Sequence, residues 1–181
     1  MEKVLTAAYQ AEVEYRHRQF IEDKETYANI SKVADYLTQD SSKFGIILLG
    51  TSGNGKTTLV RAVQQSLNFL SKRGIIDEGL CVVDAKDIVT TKNEKDKRHL
   101  RSRPLLAIED MGREPTEVLE YGNVLNPVID LLEYRYDAQL FTMITTNLNP
   151  SEIRQKYGAR IADRFNEMFE RVIFKNQSYR I

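Results

Sequence analysis

A three-layer α/β architecture around a mostly parallel, five-stranded sheet is expected from this sequence of 181 residues. Three observations lead to it. Short apolar runs alternate with stretches whose apolar residues recur at helical spacing. A glycine-rich octapeptide lies between the first such run and the amphipathic stretch that follows. Two Asn-Pro pairs, Asn126-Pro127 and Asn149-Pro150, each combine a helix cap with a first helical residue. Strands alternating with helices imply right-handed crossovers and a sheet covered on both faces. No repeat, low-complexity segment or linker divides the chain.

The elements follow in order. Residues 3–20 are helix-prone and charged, with Val4, Ala8, Ala11 and Tyr15 on one side. Asp23 caps a second helix over about 25–38, striped by Tyr27, Ile30, Val33, Ala34 and Leu37. Phe44–Leu49 is a near-continuous apolar run, as a parallel strand covered on both faces requires. After Thr57, Leu59, Ala62, Val63, Ser66, Leu67 and Leu70 form one helical face, and Gly74 stops that helix. Leu80–Val83 reads as a strand, Asp84–Thr91 as a short helix, and Leu105–Ile108 as a third strand ending in Glu109-Asp110. Pro115 opens a loop, and a helix runs from Pro127 to Tyr136. Leu140–Thr146 is β-branched and strand-forming. A helix from Pro150 ends at Gly158, a last one carries Ile161, Phe165, Met168 and Phe169, and Val172–Phe174 closes the sheet.

Composition narrows the class. Lys and Arg total 26, as do Asp and Glu, so any nucleic-acid surface must be local. No apolar run approaches the roughly 18 residues of a membrane helix, and Met1–Val4 does not begin a signal peptide. The single cysteine, Cys81, excludes an intramolecular disulfide and suits a reducing cytoplasm; flanked by Leu80, Val82 and Val83, it reads as a core thiol. His17 and His99 lack partners at metal-ligand spacing and read as surface residues.

Residues Gly50-Thr51-Ser52-Gly53-Asn54-Gly55-Lys56-Thr57 match G-x-x-x-x-G-K-T, with Thr58 following. In such a loop backbone N–H groups surround an anion, the lysine reaches the β/γ-phosphates and the Thr57 hydroxyl binds Mg²⁺. The strand before it and the helix after it supply the context the motif needs, so the chain is expected to bind a nucleoside triphosphate such as ATP with Mg²⁺. Hydrolysis also needs a carboxylate for the metal, a group to orient water and positive charge at the γ-phosphate. Glu109-Asp110 at a strand end supplies carboxylates: Glu109 for Mg²⁺ through water, Asp110 to help activate the nucleophile. Ile144-Thr145-Thr146-Asn147 ends the next strand, where Asn147 is placed to orient water.

Taken with Tyr157-Gly158-Ala159-Arg160-Ile161-Ala162-Asp163-Arg164, this order of motifs resembles the AAA+ ATPases of the bacterial helicase-loader group, the DnaC and DnaI type, with the IstB transposition helpers as close relatives. The resemblance spans roughly residues 25–175 and implies a P-loop NTPase fold of the AAA+/ASCE type. It places Asn147 at the sensor-1 position and Arg164 at the arginine-finger position, acting on a neighbouring subunit's γ-phosphate. Arg160, one turn earlier on the same face, is the rival finger. Full activity would then require a homo-oligomer. Adenine preference comes from the resemblance alone, with Tyr27 and Ile30 as base-pocket candidates.

The chain departs from that pattern in three ways. The acidic pair is Glu-Asp rather than Asp-Asp or Asp-Glu, which predicts slow hydrolysis. The last strand lies near the end of the sequence, so no C-terminal lid and no sensor-2 arginine are expected. Residues 1–22 are set apart from a core over 23–181, as a partner-binding helix or a remnant of the separate helicase-binding domain. Between two strands, Lys92–Arg103 carries six Lys/Arg; initiator-type relatives place a DNA-contacting helix there, while a solvated loop is the plainer alternative. The favoured function is an ATP-dependent loader acting on a replicative helicase and single-stranded DNA. The alternatives are a transposition helper on duplex DNA and a small-molecule phosphotransferase.

Overall fold

The computed structural model describes residues 1–120 and 123–179. Its central sheet comprises β1 (Gly45–Gly50), β2 (Cys81–Asp84), β3 (Leu105–Met111), β6 (Phe141–Thr146) and β7 (Phe169–Phe174). These lie in the order β2-β3-β6-β1-β7, and every neighbouring pair is parallel. The "mostly parallel" expectation thus becomes fully parallel. A separate antiparallel pair, β4 (Val118–Glu120) with β5 (Asn123–Leu125), interrupts the loop expected after Pro115. Strands of three residues are too short to show periodicity, which is why the sequence does not reveal them.

Two cores sandwich the sheet. Ile46 and Leu48 of β1 face α1 (Glu2–Tyr15), α2 (Lys24–Tyr36) and α3 (Lys56–Lys72), together with Met143 and Val172. Ile47 and Leu49 face α4 (Ala85–Thr90), α6 (Pro127–Asp137), α7 (Pro150–Tyr157) and α8 (Ala159–Met168). The period-two alternation of one strand therefore feeds both layers. The basic stretch forms α5 (Glu94–Ser102), none of whose residues is buried. Cys81 is a free thiol packed partly against the second core.

Local chemistry explains the boundaries. The Asp23 carboxylate accepts the Thr26 N–H at 2.8 Å and starts α2. Asn149 and Glu152 form a reciprocal capping box at α7. At α6 Pro127 holds the first turn, but the Asn126 side chain makes no cap bond, so that expected cap is absent. Helix α1 stops at Tyr15 rather than running to residue 20. Its buried face is also shifted by one residue from the expected stripe: Leu5, Tyr9 and Glu12 are buried, while Val4 and Tyr15 are exposed. Glu12 disguised this face, because a carboxylate reads as solvent-facing. It is satisfied by Arg16 at 2.7 Å and by the Gln65 amide of α3 at 2.9 Å. Leu5 and Tyr9 join the core formed by α2, α3 and β1.

Arg135 of α6 is wholly buried without any carboxylate partner among the described residues. Its guanidinium donates to Thr142 Oγ1 at 2.8 Å, to the carbonyls of Arg101 and Arg103 at 3.2 and 2.8 Å, and to the Phe141 carbonyl. Burial pulls its pKa down to about 10. The residue thus ties the end of α5 to the start of β6. Arg135→Ala is expected to lower stability by about 3 kcal/mol or more, since several buried acceptors lose their donor. Urea unfolding with an unchanged slope measures this; a loss below about 1 kcal/mol would contradict the keystone role.

Candidate active site

The phosphate-type loop leaves the C-terminal end of β1, the second strand from one sheet edge and covered on both faces. Two glycines are dictated by close approach. A Cβ on Gly50 would lie 2.5 Å from the Asn54 amide and 2.7 Å from the Phe174 carbonyl. Gly55 precedes α3 with φ of 95°, and a Cβ there would lie 2.3 Å from the Tyr9 hydroxyl. The loop is held from several sides. Buried Asn54 donates to the Phe174 carbonyl of β7 at 3.3 Å, and the Tyr179 N–H donates to the Gly53 carbonyl at 2.9 Å. The Lys56 ammonium donates to the carbonyls of Gly50 and Thr51, both at 2.7 Å, and to Asn54 Oδ1 at 3.1 Å.

The acidic pair lies inside β3 rather than beyond it, on a bulge. Ile108 pairs with Ile144 and Met111 with Thr146, so three residue steps on β3 oppose two on β6. Asp110 takes φ of 54° at this bulge. The preceding motif residues stabilise it: Thr145 Oγ1 accepts the Asp110 N–H at 2.9 Å, and Thr146 Oγ1 donates to the Met111 carbonyl at 2.6 Å. Asn147 then emerges beside the loop, donating from Nδ2 to Ser52 Oγ at 3.0 Å. The two threonines therefore shape the acidic turn, and the asparagine reaches the phosphate loop.

Glu109 is almost wholly buried and receives Arg61 of α3 at 2.6 Å. Burial raises its carboxyl above the ordinary range, against the opposing pull of the Arg61 guanidinium. Asp110 is more exposed and pairs with Arg113 at 2.7 Å. A cavity of about 700 Å³ opens between the loop and the N-terminal segment. Ser52–Thr58, Asp110 and Asn147 line it, and Arg16, Arg18 and Arg113 add positive charge. Tyr27 and Ile30 do not line it. Ile30 is buried in the core and Tyr27 sits edge-on to Phe20, so the base-pocket expectation is corrected. The apolar lining comes instead from Tyr9, Val13, Phe20 and Ile21.

Arg164 stands apart from this cavity. Its side chain, 15% exposed, pairs with Glu133 at 3.3 Å and Asp137 at 3.6 Å on α6 and lies over the Tyr136 ring at 4.5 Å. Arg160 shares Glu133 at 3.2 Å with 71% of its side chain exposed. Neither arginine lines the cavity of its own chain. Arg61, Arg113, Arg16, Tyr9 and Tyr179 are site residues that sequence reasoning missed, since none belongs to a spaced motif.

The donor set suits Mg²⁺. That ion keeps several waters and takes one or two carboxylates plus phosphate oxygens rather than a full protein cage. Among the described residues no cluster of three acidic, His or Cys ligands occurs. Among the described residues Glu109 Oε1 is buried without a hydrogen-bond partner, the kind of atom a hydrated cation satisfies.

Sheet order, loop, acidic bulge and Asn147 together make a three-layer α/β fold of the P-loop type, without a lid domain among the described residues. The solved structures with this fold include bacterial replication proteins. A DnaC helicase loader matches over 97% of this chain and 100% of its own, at TM-score 0.67 and 18% identity. DnaI matches over 86% and 88%, at 0.63 and 19%. AMPPCP-bound DnaA from Aquifex aeolicus matches over 84% of this chain but 48% of its own, at 0.57 and 18%. No protein-family model and no curated protein matches the sequence. No helix among the described residues is long and apolar enough to cross a membrane.

Gly55→Ala is expected to destabilise the fold by about 2–3 kcal/mol, through overlap with Tyr9 and a left-handed backbone. Tyr9→Phe in the same chain should recover the overlap part but leave about 1 kcal/mol of backbone strain. Thermal unfolding of the single and double variants measures both; a double variant no more stable than Gly55→Ala would refute the Tyr9 contact.

Proposed function

We propose that this protein binds ATP with Mg²⁺, hydrolyses it slowly, and acts in DNA replication as a loader of a replicative helicase. The observation that carries the ATPase reading is convergence: Asn147 contacts Ser52 of the loop while Asp110 lines the same cavity. The fold likeness to a DnaC helicase loader over nearly the whole chain supports the loader role.

In this reading Gly50–Thr58 hold the triphosphate, with Lys56 exchanging its loop carbonyls for phosphate oxygens. Thr57 and Glu109 hold Mg²⁺, which would supply charge neutralisation at the phosphates. Asp110, lining the cavity, takes the proton from the attacking water, and Asn147 orients that water. Slow turnover is expected on structural grounds too. Glu109 is engaged by Arg61 and Asp110 by Arg113, so neither carboxylate is free of a competing cation. Arg164 acts on the site of a second copy, consistent with its absence from the lining of its own cavity. That makes the working form a homo-oligomer assembled on ATP or DNA. Helix α5, basic and exposed, is the surface for single-stranded DNA. The same core would serve a transposition helper, and partner capture separates the two.

Lys56→Ala is expected to abolish nucleotide binding; unchanged ATP affinity and turnover would overturn the site assignment. Arg164→Ala should keep ATP binding and lower turnover by about 10³-fold or more. Mixing it with Asp110→Asn protein should partly restore hydrolysis, and no restoration would argue against action between subunits. A pull-down from its own cells with a slowly hydrolysed ATP analogue should retain a hexameric helicase. Recovery of a transposase instead would select the other role.

A further inference from the structure

The nucleotide-side cavity has a wall that no motif assigns. After β7 the chain turns back across the phosphate loop, and Tyr179 meets it with both main chain and side chain. Its N–H donates to the Gly53 carbonyl at 2.9 Å, where Gly53 itself has φ of 84°. Its ring lies 3.8 Å from where a Gly55 side chain would begin. Its phenol donates to Asp23 Oδ2, lies 2.8 Å from the Thr26 hydroxyl, and accepts the Asn176 amide at 2.7 Å. Asp23 is the cap of α2 and also receives Thr26 N–H and Oγ1, each at 2.8 Å.

One residue therefore joins the start of α2 to the loop that cradles phosphate, and both it and Thr26 line the cavity. The hydrogen-bond network is too complete for a loosely draped tail. Phenol, carboxylate, hydroxyl and amide each find partners within it, and partial burial together with the bond to Asp23 raises the Tyr179 hydroxyl above its ordinary range. A main-chain bond to Gly53 also needs no particular side chain on the loop. It fixes the carbonyl of a glycine whose freedom would otherwise let the N–H groups turn away from an anion.

We propose that Tyr179 is a positioning residue for the bound nucleoside triphosphate: the 175–179 segment straps the phosphate loop to the Asp23–Thr26 turn and slows nucleotide release. The proposal rests on the nucleotide-binding reading above. Where a lid domain would close such a site from outside, this strap closes it from the sheet edge next to β7. Release requires the strap to lift, and lifting breaks the phenol–carboxylate bond. That bond is charge-assisted and partly buried, so it dominates the closed state.

The test is a double-mutant cycle on release kinetics. A fluorescent N-methylanthraniloyl derivative of AMPPNP is bound to the full chain and chased with unlabelled ATP. Tyr179→Phe keeps the ring and main chain but removes the hydroxyl. Asp23→Asn keeps a competent helix cap but removes the charged acceptor. Each is expected to speed release about tenfold with little change in association rate, and the double variant should be no faster than either single one. Release at the wild-type rate in both singles, with binding still abolished by Lys56→Ala, overturns the strap while the nucleotide site stands. Multiplying effects in the double variant overturn the coupling between Tyr179 and Asp23. Failure of the wild-type protein to bind the analogue at all removes the nucleotide reading and the strap with it.

Discussion

Because β1, β6 and β3 run parallel in fixed register, their C-terminal ends arrive together at one edge of the sheet. Leu49 lies opposite Thr146, and Thr146 lies opposite Met111. The next residues on β1 and β6 are then Gly50 and Asn147, and the bulge on β3 presents Glu109 and Asp110 beside them. A slip of one residue would turn every side chain of a strand to the other face. Buried Ile46 and Leu48 on one side, with Ile47 and Leu49 on the other, make the register of β1 costly to change. The candidate site is thus a by-product of core packing, delivered at the C-terminal ends of strands whose register the core fixes.

Charge is the second organising feature. Lys56 is satisfied by carbonyl oxygens, Glu109 by Arg61, Asp110 by Arg113, and Arg164 by Glu133 and Asp137. Buried or half-buried charges require such partners, since an isolated one would be expelled or neutralised. On the proposed reading, a triphosphate entering the cavity competes with the Lys56 and Arg113 contacts rather than meeting free charges. Affinity then depends on how readily each cation exchanges one oxygen for another.

The strand–loop–helix of the site was legible because it is local. The apolar run before Gly50, the stripe after Thr57 and the acidic pair after Ile108 all depend on spacing within one segment. The position of Asn147 just past a strand end was legible by the same logic, although the roles of Thr145 and Thr146 in holding the Asp110 bulge were not. Long-range partners stayed hidden. Arg61 meets Glu109 across 48 residues and Tyr179 meets Asp23 across 156, and no pattern announces either pair. The face of α1 was misread for a related reason: a buried Glu12 makes sense only once Arg16 and Gln65 are beside it. Tyr27 and Ile30 looked available from position alone, whereas packing assigns them to the core and to Phe20.

Arg164 lies where its charge is already balanced by two carboxylates and an aromatic face. An arginine so placed sets a threshold. It leaves α6 only for an acceptor of greater charge density, and on the proposed reading a neighbour's triphosphate offers one that a diphosphate does not match. Assembly would then discriminate between spent and unspent nucleotide before any chemistry occurs, and the concentration at which copies associate would shift with the ratio of the two in solution.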